Sequence, residues 1–372
     1  MRVLFVIPHP REGASGRHRV FQYVPWLQRR GVVCHVRPFM SHALYRILYQ
    51  PGKLLPKLAL STAALINRMT DLVRSSQSDV VVVHREALPL GTAWCERLMA
   101  RLCPSVVFDF DDAIYLDHAS GANAWTRLFR RADKTADIIA ASTHVIAGNR
   151  FLEAYARRFN PHVSVIPTPV DTERFQRHRG TGARTRVVIG WMGSSTTAEY
   201  LGLVQPALAA VATRYPGTEI RIVGAGSVPL HVPNLRTLPW RLEQEVEELR
   251  GFDIGIMPMP DDEWARGKCG FKALLYMSVG LPVVSSPVGV NCEIIREGLN
   301  GFLASDEQTW VNRLSTLIED RGLRDRMGQA GRTIVEEHYS VAVNAPRFFD
   351  VLQAAYARGR AAQGYGSDGR AG

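Results

Sequence analysis

Arg266, Lys268 and Lys272 crowd into one loop, where a charged stretch runs into an apolar, helix-like segment over 273–279. A helix N-terminus offers unpaired backbone N–H groups and the positive end of its dipole. Cations beside it complete a receptor for phosphate. Short apolar runs over 254–257 and 282–285 flank this segment and read as strands of a buried parallel sheet. Beyond the second run the chain turns through Ser285-Ser286-Pro287-Val288-Gly289-Val290-Asn291. That turn repeats the arrangement: strand end, hydroxyls, glycine, helix start. Two such turns at the carboxyl ends of neighbouring strands predict a diphosphate site that includes Gly289 and Val290. A third turn, Gly193-Ser194-Ser195-Thr196-Thr197, follows the run 187–191 and brings further hydroxyls and N–H groups to phosphate.

Strand and helix patterns alternate along the chain, which implies doubly wound parallel sheets. In the first half, strands are expected over 2–7, 32–36, 80–83, 105–110, 138–141 and 163–166. A helix is expected over 17–30, stopped by Gly31. Gly13 and Gly16 lie in the turn after the first strand, where glycines let a backbone pass close to a diphosphate. In the second half, strands are expected over 187–191, 219–223, 235–238, 254–257 and 282–285. The stretch 176–186 is polar, glycine-rich and aperiodic, and reads as a linker. Domains are therefore expected over 1–175 and 187–340. A helix over 341–357 should return toward the first domain, and a tail over 358–372, rich in Gly, Ala and Arg, should be disordered. Two such sheets facing each other place a ligand cleft between the domains. Val223-Gly224-Ala225-Gly226 is only part of a dinucleotide fingerprint, because Pro229 stands where the third glycine would fall.

These motifs resemble a known family. Tyr276-Met277-Ser278-Val279-Gly280-Leu281-Pro282-Val283-Val284, then Glu293-Ile294-Ile295, Gly298 and Asn300-Gly301-Phe302-Leu303, are similar to family 4 of the retaining glycosyltransferases. Val165-Ile166-Pro167-Thr168-Pro169-Val170-Asp171 and Gly190-Trp191-Met192-Gly193-Ser194 extend the resemblance upstream. It implies an α/β fold of GT-B architecture, with two Rossmann-like domains facing a cleft. It also implies a nucleotide diphosphate sugar as donor, a hydroxyl acceptor and no metal or other cofactor. Arg266 and Lys268 would stabilise the departing diphosphate, since the early turn at Gly193, Ser194 and Ser195 has no lysine. Glu293 would contact the donor sugar, orient the turn or cap its helix N-terminus, and His84 matches a position that touches the transferred sugar, although a lone histidine at a strand end is more often structural. Trp240 would stack on the nucleotide base or pack on the helix over 242–250. Asp109, Asp111 and Asp112 end a first-half strand. Such carboxylates can bind acceptor hydroxyls, act as a base (Asp112 foremost), hold arginines or, three so close, invite a metal, which the resemblance does not imply. The family's ribose-binding glutamate falls at Leu275, which cannot accept a hydrogen bond.

Composition sets the outer bounds. With 372 residues, 46% hydrophobic and 22% charged, the chain suits two soluble globular domains. Five unpaired-looking cysteines, without metal spacing, suit a reducing cytoplasm. Residues 1–170 carry 22 Lys and Arg against 12 Asp and Glu; the remainder carries 23 against 23. The whole excess of +10 thus sits in the first half, which favours an anionic partner. The segment 41–76 holds Arg46, Lys53, Lys57, Arg68 and Arg74 against Asp71, with leucines three or four apart. Two readings follow. Its apolar face packs on the first sheet, or it lies on an anionic membrane near a lipid-linked acceptor, making the protein peripheral on the inner membrane face. No nucleic-acid role is expected. Two other functions stay open: a sugar-nucleotide epimerase on the same fold, and a non-catalytic nucleotide-sugar-binding protein.

Overall fold

The computed structural model describes residues 1–48, 50, 52–89, 91–116, 133–177, 186–226 and 229–367. The chain divides into two units: Met1–Thr168 with Asn344–Gly372, and Pro169–Val343. The first holds six strands: β1 (Arg2–Ile7), β2 (Val33–Pro38), β3 (Val80–His84), β4 (Val106–Phe110), β5 (His144–Ala147) and β6 (Val163–Val165). They form one sheet in the order β2-β1-β3-β4-β5-β6, and every pairing is parallel. Val80, Val81, Val82 and Val83 are all fully buried, as a central strand covered on both faces requires. Each such side chain contributes about 1.5–3 kcal/mol on leaving water.

The second unit repeats the plan with β7 (Val188–Met192), β8 (Glu219–Val223), β9 (Leu235–Leu238), β10 (Ile254–Met257), β11 (Val283–Ser285) and β12 (Gly301–Leu303). Its order is β12-β11-β10-β7-β8-β9, again wholly parallel. Trp191, Phe252 and Tyr276 are among its largest fully buried side chains. Gly255 makes room for one of them: a Cβ there would lie 2.4 Å from the Tyr276 ring.

Several expectations are corrected. The run Ile138–Ala141 is not a strand. It closes the helix Lys134–Ala141, and β5 begins three residues later at His144. A short apolar run carries no period that separates a buried helix end from a buried strand. The helix expected over 17–30 is broken into a wide π-type turn, Arg17–Phe21, and a helix, Val24–Gln28. Pro25, in the first turn of the latter, lacks the N–H that a continuous helix would need. β12 was not foreseen, because its three residues are too few to show alternation. The boundary between units falls after Thr168 rather than near 175. Residues 178–185 of the expected linker lie outside the described residues.

The tail is also corrected. A single helix, Val341–Ser367, continues well past Arg358. Phe348 on this helix stacks on Tyr23 at 4.6 Å between ring centroids and faces Phe5 at 6.4 Å, so it belongs to the first unit's core. A Cβ on Gly359 would come within 2.2 Å of Ser105 Oγ, which shows how closely the later turns pack.

The segment 41–76 forms two helices, His42–Ile47 and Leu54–Ser76. The longer one leaves most of its leucines off the sheet. It buries Ala64, Arg68, Asp71, Leu72 and Ser75, and leaves Leu54, Leu55, Leu58, Leu65, Ile66, Met69 and Val73 exposed. Asp71 binds Arg37 at 2.7 Å, Arg68 at 3.0 Å and Arg74 at 3.1 Å. Arg68 also donates to the carbonyl of Ile7, at the end of β1. A polar lock, rather than an apolar seam, holds this helix down.

Candidate active site

In the second unit the strand order reverses between β7 and β10. The crevice of a doubly wound sheet opens at the carboxyl ends of those two strands. Gly193, Ser194 and Ser195 follow β7, and the loop with Arg266 and Lys268 follows β10. Tyr276 ties the two together. Its hydroxyl accepts the Met192 N–H at 2.9 Å, which fixes helix Phe271–Ser278 against the end of β7. From the first turn of that helix, Lys272 donates to Thr197 Oγ1 at 3.2 Å and lies 5.4 Å from the Trp191 ring centroid. A Cβ on Gly193 would come within 2.6 Å of Trp191 and 2.7 Å of Lys272. Gly224 has φ +84°, and a Cβ there would stand 2.3 Å from the Gly193 carbonyl and 2.9 Å from Trp240. The turns after β7, β8 and β9 are therefore pressed together, and Trp240, half-buried, packs against the unit's core.

The loops after β10 and β11 are joined in the same way. Asp262 caps helix Glu263–Arg266 by accepting the Ala265 N–H at 2.7 Å. Arg266 pairs with Asp261 at 2.7 Å, both of them exposed. Lys268 lies 4.8 Å from the Trp264 ring centroid, a cation–π contact. Gly289, at φ +54°, would place a Cβ 3.0 Å from the Arg266 backbone. Ser286 accepts the Met259 N–H at 2.9 Å, and Asn291 donates to Ser285 Oγ at 2.9 Å. Val290 precedes helix Asn291–Ile294, and Glu293 is exposed in its first turn. Leu275 is buried in the core. This end of the sheet thus gathers cations, hydroxyls and a helix N-terminus, the parts that bind and neutralise a diphosphate.

The first unit reverses between β1 and β3, and its residues serve differently. Parallel pairing sets His84 beside Asp109. His84 is fully buried: its Nδ1 meets Asp109 Oδ2 at 2.6 Å and its Nε2 meets Ser15 Oγ at 2.5 Å. Arg19 grips Asp109 with two nitrogens and donates to the Ile166 carbonyl at 2.7 Å. Arg85, in a left-handed conformation at φ 62°, binds Asp111 at 2.8 Å and also pairs with Asp112. Of the roles open to the three aspartates, the structure realises the holding of arginines. Burial opposes the charge of Asp109, yet Arg19 and the His84 hydrogen bond keep its carboxyl below the usual range. Burial opposes Asp111 too, and Arg85 and His84 hold it well below that range. Burial, together with Arg85 and His84, lowers His9 to about 4.

Gly13 and Gly16 lie in the turn after β1, and each packs closely within the unit. A Cβ on Gly13 would stand 2.5 Å from His9 Cβ, and one on Gly16 would stand 3.3 Å from Ile7. Packing within the unit leaves no room for a Cβ at Gly13 and little at Gly16. Ser15, Arg19 and Arg85 escaped the sequence reading. Only the register of β3 on β4, and the fold of the turn after β1, brings them to His84 and the aspartates. Among the described residues no group of three or more His, Cys, Asp or Glu side chains is arranged to hold a metal ion. No described helix is long and apolar enough to cross a membrane, and all five cysteines are free.

Comparison with known proteins bears on this geometry. Residues 186–320, most of the second unit, match the sequence family described as Glycosyl transferases group 1. The chain is 27% identical over 233 residues to D-inositol 3-phosphate glycosyltransferase of Salinispora arenicola, covering 53% of this chain and 50% of that one. It is 35% identical over 91 residues to sulfoquinovosyl transferase SQD2 of Arabidopsis thaliana, covering 23% of this chain and 17% of that one. The matches thus span half or less of those relatives. Among solved structures, sucrose-phosphate synthase from Thermosynechococcus elongatus superposes with a TM-score of 0.67 at 15% identity, covering 96% of this chain and 99% of that one. Anabaena Alr3699/HepE in complex with UDP and glucose gives 0.69 at 15% identity, covering 95% and 100%. The chain has the two-domain α/β GT-B fold.

Proposed function

We propose that this chain is a retaining glycosyltransferase of family 4. In this reading it moves a sugar from a nucleotide diphosphate donor to a hydroxyl acceptor in the cytoplasm, in the synthesis of a polysaccharide, glycolipid or cell-envelope glycan. The observation that carries the reading is the contact of Lys272 with the Gly193–Thr197 turn, at the start of the helix that the Arg266–Lys268 loop leads into, where the strand order reverses between β7 and β10. The match of residues 186–320 to group 1 glycosyltransferases supports it, and so does the likeness to a fold seen with UDP and with UDP-glucose.

In the reaction the bond from the sugar's anomeric carbon to the diphosphate breaks, and its electrons move to the departing oxygen. Lys268, Arg266 and the N–H groups at the start of helix Phe271–Ser278 would hold that growing charge without reorganisation. The acceptor oxygen bonds to the same face of the sugar, and its proton passes to the leaving diphosphate. No side-chain nucleophile is needed. In this reading the mechanism needs no metal, because Arg266 and Lys268 would supply the fixed positive charge that a metal supplies elsewhere. The buried Leu275 leaves the ribose to be held by backbone groups or by the surroundings of Trp240.

The test is nucleoside diphosphate release from a panel of UDP-, GDP-, ADP- and dTDP-sugars, with and without oligosaccharide and polyprenyl-phosphate-sugar acceptors, in chelator. Acceptor-dependent release with an α-configured product from an α-linked donor supports the reading. Inversion, acceptor-independent interconversion of donors, or no turnover of any donor that binds would each overturn it.

A further inference from the structure

Seven of the fifteen exposed large apolar side chains among the described residues sit on one helix, Leu54–Ser76. Leu54, Leu55 and Leu58 are 79%, 80% and 64% exposed, and Leu65, Ile66, Met69 and Val73 continue the row. At about 100° per residue all of them fall within roughly a third of the helix circumference, in two runs over 54–58 and 65–73 along one side. Apolar side chains scattered singly need no explanation, whereas a contiguous stripe marks a surface that meets something. The opposite side is committed already, through the buried Asp71 and its three arginines.

We propose that this helix docks on a lipid bilayer bearing anionic headgroups. Charge selects that partner. Arg46 and Lys53 are exposed before the helix and Lys57 flanks the stripe, while the sole acid of 41–76, Asp71, is buried against its arginines. Within 41–76 every exposed charged side chain is therefore a cation. Lys53 and Lys57 stand at the helix N-terminus, where they oppose the helix dipole, and a negative surface there relieves that opposition. The stripe contains no Trp, Tyr or Phe, the residues that protein interfaces favour. A helix of this length, with leucines below and lysines at the rim, suits the boundary between headgroups and acyl chains. The excess of +10 in residues 1–170 adds a long-range attraction of the same sign.

The experiment is co-sedimentation of the full chain with vesicles of phosphatidylcholine alone and of phosphatidylcholine mixed with phosphatidylglycerol, at low and high salt. Binding should be strong to the mixed vesicles at low salt, and at least about tenfold weaker to neutral vesicles or at high salt. Lys53→Glu/Lys57→Glu and Leu55→Gln/Leu58→Gln should each lower it about tenfold or more, with unchanged thermal unfolding, since these side chains lie on the surface. Leu55→Trp should be quenched by brominated acyl chains only when anionic lipid is present. Absent binding, binding indifferent to lipid charge and salt, or an unquenched Trp would overturn the proposal. So would a wild-type dimer that Leu55→Gln/Leu58→Gln converts to monomer, because the stripe would then belong to a second copy of the chain.

Discussion

The two units reverse their strand order at one point each, and they finish those points differently. In the first, the ends of β1, β3 and β4 are closed by ion pairs away from the surface: Arg19 on Asp109 and His84 between Ser15 and Asp109, both buried, and Arg85 on Asp111 and Asp112, half-buried. In the second, the ends of β7 and β10 are ringed by glycines and by cations nearer the surface. There Arg266 pairs with an exposed Asp261, and Lys268 and Lys272 lie over indole rings. An exposed pair is weak and readily exchanged, whereas a buried one is costly to break. The same sheet design thus gives a stiff wall in one unit and a receptive edge in the other.

That contrast breaks or sharpens under mutation. The largest effect should come from the wall. Arg19→Met strands a buried carboxylate and should lower unfolding free energy by about 3–5 kcal/mol in urea titration. Lys268→Ala should change it by less than about 0.5 kcal/mol. Equal effects would erase the distinction. Turnover should show the reverse pattern. Lys268→Ala should slow nucleoside diphosphate release by about two to three decades. Arg266→Ala should slow it less, about tenfold, since that side chain must first leave Asp261. Full activity in both variants would remove the receptive edge from the chemistry.

Smaller effects probe the supports. Gly224→Ala forces a Cβ into the Gly193 carbonyl at a positive φ, and should cost about 1–3 kcal/mol in stability while weakening nucleotide binding. Unchanged binding by titration calorimetry would separate that turn from the site. The smallest effect is on pH dependence. His9, lowered to about 4, stays neutral in the fold while the unfolded chain protonates near the ordinary histidine value of about 6.5. Between those values the unfolded state binds more protons, so stability rises with pH across that window and is lost as pH falls. His144, also lowered to about 4 by burial and Arg358, adds to the slope. His9→Gln should flatten the part due to His9, and an unchanged slope would place the titration elsewhere.

The second unit was far more legible in the sequence than the first. Its turns are marked by Gly193, Gly224 and Gly289, and its strands are short apolar runs bounded by them, so local chemistry names both. The first unit's network depends on register. His84 and Asp109 are 25 residues apart and meet only because β3 pairs with β4. Ser15 and Arg85 carry no local signal, since a serine in a turn and an arginine at a strand end are ordinary. The helix Leu54–Ser76 inverts the usual rule. Amphipathicity revealed two faces, but only the position of Asp71 among three arginines determines that the polar face is the buried one.

The central claim is that the β7–β10 edge of the second unit receives a nucleoside diphosphate. The direct measurement is the thermal unfolding midpoint of the full chain titrated with UDP, GDP, ADP and dTDP, for the wild type and for Lys268→Ala and Lys272→Ala. Ligand that binds only the folded state raises the midpoint by mass action, and a hundredfold excess over Kd contributes about 2.7 kcal/mol. The account predicts a concentration-dependent rise with at least one of the four nucleotides in the wild type, and its loss in both variants. No rise with any nucleotide, or a rise that survives both substitutions, would contradict it.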